Sequence, residues 1–173
     1  STYPKGNGPY LSRMKDAGAI FSDCGRYRYR LWRIWDPSLP TLLWILYNPS
    51  TADAKVEDPT LRRCMDFTRQ WGYGGLTVVN RFAYRATNPR QLNSTIDPVG
   101  PENTLHVQNA LLTHREVICA WGLQGGPIPL EILCSGAQVF HLGLCRDGSP
   151  KHPLYLAKNT VRIPVDSQRL VTT

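Results

Sequence analysis

Apolar residues along this chain follow two rhythms, and the changes between them predict alternating strands and helices. RYRYRLWRIW, Arg26 to Trp35, sets basic against apolar or aromatic residues with a period of two, the pattern of a strand with one wet face. On that rhythm Arg26, Arg28 and Arg30 share a side, either as a charged edge that resists aggregation or as phosphate contacts. After the DPSLP turn, TLLWILY, Thr41 to Tyr47, lacks alternation and predicts a central strand covered on both sides. Asp58-Pro59 then offers an N-cap with proline at the first helical position. Leu61, Cys64, Met65, Thr68 and Trp71 recur at helical spacing until Gly72, and Arg62, Arg63 and Arg69 fall largely off that face, toward solvent.

Leu76 to Asn80 predicts another short strand, followed by RFAYRATNPRQLNSTIDPVGP, a long irregular connection of the kind that usually serves a site. Pro101 opens a helix running to about His114, and Glu116 to Trp121 forms a buried strand. Glycines around Gln124 precede a short helix, Pro129 to Cys134, and the strand AQVFHLG. The Gly- and Pro-rich start predicts an irregular arm over residues 1–18. Alternating strands and helices imply a single α/β domain over residues 1–173, a three-layer αβα arrangement with a mostly parallel central sheet.

The length suits one domain, and the net charge of +7 with a pI near 9.4 makes a polyanion, DNA first, the partner to test. Five widely spaced cysteines, without a Cys-x-x-Cys pair or zinc-like spacing to the histidines, favour a reduced compartment and imply no metal. Cys64 and Cys119 fall on apolar faces and read as buried small hydrophobes. The absence of a signal-like start or a membrane-length apolar run sets the expectation of a cytoplasmic monomer without membrane or cofactor.

In an open α/β sheet, ligands bind beyond the carboxyl ends of the strands. ILYNPSTAD ends a strand at Asn48, and LTVVN ends one at Asn80, so two amides on one rim predict a pocket for a planar polar ligand. Asn48 can orient water but cannot accept a proton at neutral pH, which leaves Asp53 as the nearest carboxylate to supplement it. His152 is placed to stabilise a departing anion. Asn80 carries the donor and acceptor needed to read a base edge. Structural alternatives stand beside these roles: Asn48 as cap or turn former, Asp53 as a solvated charge, Asn80 as a turn residue. Arg81, Arg85, Arg90, Lys151 and Lys158 are candidate phosphate contacts. In RDGSPKHPLYL, Arg146 to Leu156, Ser149 and Lys151 grip a phosphate while Leu154 or Tyr155 wedges into a base stack, or the loop is an ordinary exit to a C-terminal strand. Trp44 and Trp121 read as core.

ILYNPSTAD, VVNRFAYRATNP and GSPKHPLYL together resemble, over nearly the whole chain, an uncharacterised bacterial and phage family of domains of unknown function. Their order also resembles, more distantly, the uracil-DNA glycosylase superfamily. There a strand ends in a water-activating Asp or Asn beside Pro, a later strand ends in a base-reading Asn, and a His-Pro-Ser-Pro-like loop enters the DNA. The resemblance implies the corresponding fold, with Asn48-Pro49 as the first motif, most like a branch that uses Asn-Pro-Gly, here with Ser50 for glycine. Val79-Asn80 with the stretch from Arg85 to Pro89 matches the second, and His152-Pro153 followed by Leu154 the third, with Gly148-Ser149-Pro150 an alternative anchor. The tyrosine that excludes 5-substituents in strict uracil enzymes is missing, so Ser50 and Thr51 leave room for a bulkier base, stacked on Phe82 or Tyr84. The four-cysteine iron-sulfur spacing of some branches is absent. The implied activity is that of a monofunctional DNA base glycosylase, a hydrolase that flips a modified or damaged base and leaves an abasic site in repair or phage-related DNA. A catalytically silent nucleic-acid-binding module and a nucleoside or nucleotide N-glycosidase are the alternatives.

Overall fold

Seven strands form one mixed sheet in the computed structural model, which describes residues 14–49, 52–86 and 88–166. The strands are β1 (Asp16–Phe21), β2 (Arg28–Ile34), β3 (Thr41–Leu46), β4 (Gly75–Asn80), β5 (Glu116–Cys119), β6 (Gln138–His141) and β7 (Ile163–Pro164). The helices are α1 (Pro59–Gln70), α2 (Asn103–Thr113) and α3 (Leu130–Leu133), with a 3-10 turn at Pro89–Asn93 inside the long connection. In the order β1-β2-β4-β3-β5-β6-β7, the run β4-β3-β5-β6 is parallel, whereas β1, β2 and β7 join antiparallel. The architecture is therefore mixed α/β, and the expected mostly parallel sheet is corrected to a mixed one, with parallel pairing confined to the strands that carry helical crossovers.

The unbroken apolar run of β3 is explained by burial on both faces. Leu42, Trp44 and Leu46 pack with Leu61, Cys64, Met65 and Phe67 of α1, and Leu43 and Ile45 pack with Ala110 and Leu111 of α2 and Ile132 of α3. Helix α1 starts where Asp58 Oδ1 accepts the Leu61 N–H at 2.7 Å. Inside, the indole N–H of Trp44 donates to Thr68 Oγ1 at 3.0 Å, and that hydroxyl donates to the Cys64 carbonyl at 2.6 Å. No helix among the described residues is long and apolar enough to cross a membrane.

Two expectations at the amino end need correction. Residues 16–18, assigned to the irregular arm, belong to β1; residues 1–13 lie outside the described residues. Strand β1 also covers β2, so β2 is not an edge. Nor do Arg26, Arg28 and Arg30 share a wet face. Ile20 pairs with Arg30 but Phe21 with Arg28, and the extra residue, Tyr29, interrupts the alternation as a bulge does. Tyr29 stacks on His106 of α2 with ring centroids 4.9 Å apart, while Arg28 is buried and bonded to Ala52 in the core on the α1 side.

Candidate active site

Strand β3 runs on into Tyr47 and Asn48, and its parallel neighbour β5 runs on into Trp121 and Gly122. Beyond these two carboxyl ends, closed on one side by the start of α1 and on another by residues 152–155, lies a cavity of about 600 Å³. This is where an open sheet leaves room for a ligand, because neighbouring connections diverge there.

One arginine, one aspartate and one histidine line it: Arg28, Asp58 and His152. Arg28 donates from Nη1 to the Ala52 carbonyl at 2.7 Å, and burial pulls its pKa down to about 10 against the favourable field of Asp58. Asp58 is buried because the N-cap that starts α1 sits at the cavity wall. His152 Nδ1 accepts the Leu154 N–H at 3.2 Å, so in the neutral ring the proton sits on Nε2. Burial lowers the His152 pKa although nearby Asp58 opposes the shift, and the ring is neutral at pH 7. Gly122, at φ 83°, allows this approach, since a Cβ there would stand 3.1 Å from the Cβ of His152.

Asn48 lines the cavity and spends its amide hydrogens on the carbonyls of Pro49 and Ala86, at 3.0 and 2.9 Å. That ties the end of β3 to the segment following β4 and leaves the amide only an acceptor's role toward a ligand. Of the rings, Tyr47 and Trp121 line the cavity, whereas Phe82 braces Tyr47 edge-on at 5.1 Å and Tyr84 packs against Tyr27. Leu154 and Tyr155 reach the rim, and Tyr155 is 93% exposed.

Other sequence-derived candidates lie elsewhere. Asn80 pairs in register with Leu46 but is wholly buried outside the cavity lining; its side-chain amide has no partner among the described residues, and its carbonyl accepts from Asn103 at 2.8 Å. The Asp53 carboxylate turns back on its own loop, where Oδ1 accepts the N–H groups of Lys55 and Val56. Ser149 is fully buried; it bonds to Asp147 and accepts the Gly126 N–H, which makes it a clasp between two loops and not a grip on phosphate. Arg81 lies over the Trp121 ring at 4.6 Å and donates to the Gly125 carbonyl, and Arg85 lies over Phe21 and donates to the Gly25 carbonyl. Arg90, Lys151 and Lys158 are exposed, and Ser50 lies outside the described residues.

Sequence reasoning missed Arg28 and Asp58 as site residues. The signal for Asp58 was present, since a cap that opens a helix just after a site-forming loop is held near the same strand end. Arg28 gave no such signal, because only the bulge turns it inward. The described residues contain no group of three or more His, Cys, Asp or Glu placed to hold a metal ion.

The arrangement combines a buried carboxylate, a neutral imidazole N–H and an amide oxygen around a ring-lined cavity. Such a set can abstract a proton from water and donate a hydrogen bond to a leaving heterocycle. Neither the curated proteins nor the solved structures contain a match to this chain. Residues 28–154, well over half of the sequence, match the family described as a protein of unknown function, DUF1643, and the chain belongs to that family.

Proposed function

We propose that this protein is a DNA base N-glycosylase that hydrolyses the bond between deoxyribose and a flipped, modified base, leaving an abasic site. One observation carries the reading: Asp58, a proton acceptor, and His152, a neutral ring N–H donor, line the same cavity beyond the carboxyl ends of β3 and β5. Water held by Asn48 gives a proton to Asp58 as its oxygen bonds to C1′. The C1′–N bond breaks with its electron pair on the base, and the resulting anion is stabilised by His152 Nε2–H until it is protonated. Rings of Tyr47 and Trp121 supply apolar walls, and a net charge of +7 favours the polyanion. Helices on both sheet faces and the order of the three motifs also suit the distant likeness to uracil-DNA glycosylases and its three-layer fold.

The test uses duplexes bearing a panel of modified bases, including hypermodified phage-type bases, treated with alkali after incubation with wild type or Asp58→Asn. Asparagine caps a helix as well as aspartate does, so the fold is retained. The wild type is expected to generate alkali-labile sites and the variant to lose about 10²–10⁴-fold in rate. Duplex binding without scission would replace the proposal with a silent binding module. Release confined to free nucleosides or nucleotides would place the substrate among monomers.

A further inference from the structure

The loop that leaves β5 holds Gln124 at φ 80°, the only non-glycine residue with positive φ among those described. L side chains avoid this region because Cβ crowds the backbone, and where one persists the surroundings impose it, often at a ligand clamp. The glycines at positions 122, 125 and 126 around it have evident reasons. Gly122 and Gly126 also have positive φ, and a Cβ on Gly125 would fall 1.9 Å from Trp121 Cδ1. Glycine at position 124 would be the unstrained choice, yet the chain carries a carboxamide there.

Gln124 is one of the residues lining the cavity and is exposed, so its carboxamide is open to a partner from solvent. The backbone beneath it is held firmly. The Trp121 indole N–H donates to the Gly126 carbonyl at 2.7 Å, Gly126 N–H to Ser149 Oγ at 2.9 Å, and Gly122 N–H to the Pro150 carbonyl at 2.8 Å. Asp147, which clasps Ser149 through that residue's N–H and hydroxyl at 2.9 Å each, feels the Gln124 backbone as a minor pKa-lowering influence. Of the other two carboxamides considered, Asn48 has spent its donors and Asn80 lies outside the lining. Gln124 therefore presents both a donor and an acceptor from a fixed support.

We infer that Gln124 is the specificity-determining residue of this cavity, pairing with a heterocycle whose exposed edge sets a hydrogen-bond donor beside an acceptor. The inference rests on the N-glycosylase reading, and it differs from a structural role for the loop in one respect. A residue kept only for folding would lower the melting temperature when replaced by glycine and leave preference among bases unchanged.

The experiment compares wild type with Gln124→Gly and Gln124→Glu for thermal melting, for base release from the modified duplex panel, and for titration calorimetry with free adenine, cytosine, uracil and guanine. Gln124→Gly is expected to melt no lower than wild type, because relief of strain offsets the greater freedom of glycine in the unfolded chain. Base release is expected to fall by about 10–200-fold, in kcat/KM, with preference among bases flattened. Gln124→Glu, which removes the donor, is expected to lose the same preference. Should wild type release a base and both variants match it, the assignment of Gln124 is overturned while the reaction stands. Should wild type bind free bases in a Gln124-dependent way without releasing any from DNA, the reaction fails and the reader stands. Failure of wild type both to release and to bind any base overturns both.

Discussion

Arg28 reaches across the sheet end and donates from Nη1 to the carbonyl of Ala52 at 2.7 Å, fastening the loop after β3 to the strand β2. The guanidinium is buried, and the negative charge in its field is that of Asp58 first and Asp53 second. Removing the guanidinium leaves the Ala52 carbonyl without its buried charged donor. Arg28→Met, which keeps the aliphatic stem, is expected to lower the unfolding free energy by about 2 kcal/mol in urea titration. Adding Asp58→Asn to it should recover part of that loss, and strictly additive effects would show that the two groups are not coupled.

Thr68 serves as the acceptor for the buried Trp44 indole and donates its own O–H to the Cys64 carbonyl. Thr68→Val preserves shape and packing on α1 but leaves the indole N–H without an acceptor. A loss of about 1–3 kcal/mol in stability is expected from that unpaired donor. A variant as stable as wild type would mean that the indole finds another partner.

Much of this core was legible because its cause is local. The run Thr41 to Tyr47 has no polar alternation since both faces of β3 are covered, and Asp58-Pro59 opens α1 as a cap followed by proline must. Strand β1 was not legible: DAGAIF has little strand propensity of its own, and its place depends on Gly18 accepting the Trp32 ring, which lies 2.3 Å from where a Cβ would be. The site was half legible. The end of β3 at Asn48 and the His152 loop meet at one cavity as their positions suggested. The inward turn of Arg28 comes from a one-residue bulge that leaves no mark in residue order, whereas Asp58 is marked there as a helix cap but not as a wall of the site. Ser149 looked like a phosphate grip because its glycine- and proline-flanked setting is the same whether the hydroxyl faces solvent or a second loop.

Burial lowers the pKa of His114, His141 and His152 alike. For His114 burial is the main cause; the Nδ1–H donated to the Ala110 carbonyl at 2.9 Å opposes it and the Arg30 charge adds to it, while Nε2 lies 3.0 Å from the Thr77 hydroxyl. A histidine whose folded pKa is depressed binds fewer protons folded than unfolded, so stability falls as pH drops below the unfolded value of about 6.5 and is unaffected above it. Melting is therefore expected to be flat from pH 8 to 7 and to decline toward pH 5. His114→Gln should shrink the decline; a pH-independent melting temperature in the wild type would rule the mechanism out.

At the rim, charge and stacking separate by salt. Lys151 is exposed beside the cavity loop, whereas the exposed ring of Tyr155 offers a face to a base and carries no charge. Neutralising one phosphate contact reduces the dependence of log affinity on log salt by about 0.9, because one fewer counterion is released. Losing a stacked ring weakens binding by about 1–3 kcal/mol without touching that slope. On a modified duplex, Lys151→Ala is thus expected to flatten the salt dependence, and Tyr155→Ala to shift the whole line to weaker affinity in parallel. Both residues are exposed, so melting temperatures should stay at the wild-type value. Tyr155→Ala binding as tightly as wild type would take the ring off the DNA, and an unchanged slope in Lys151→Ala would remove that lysine from the contact surface.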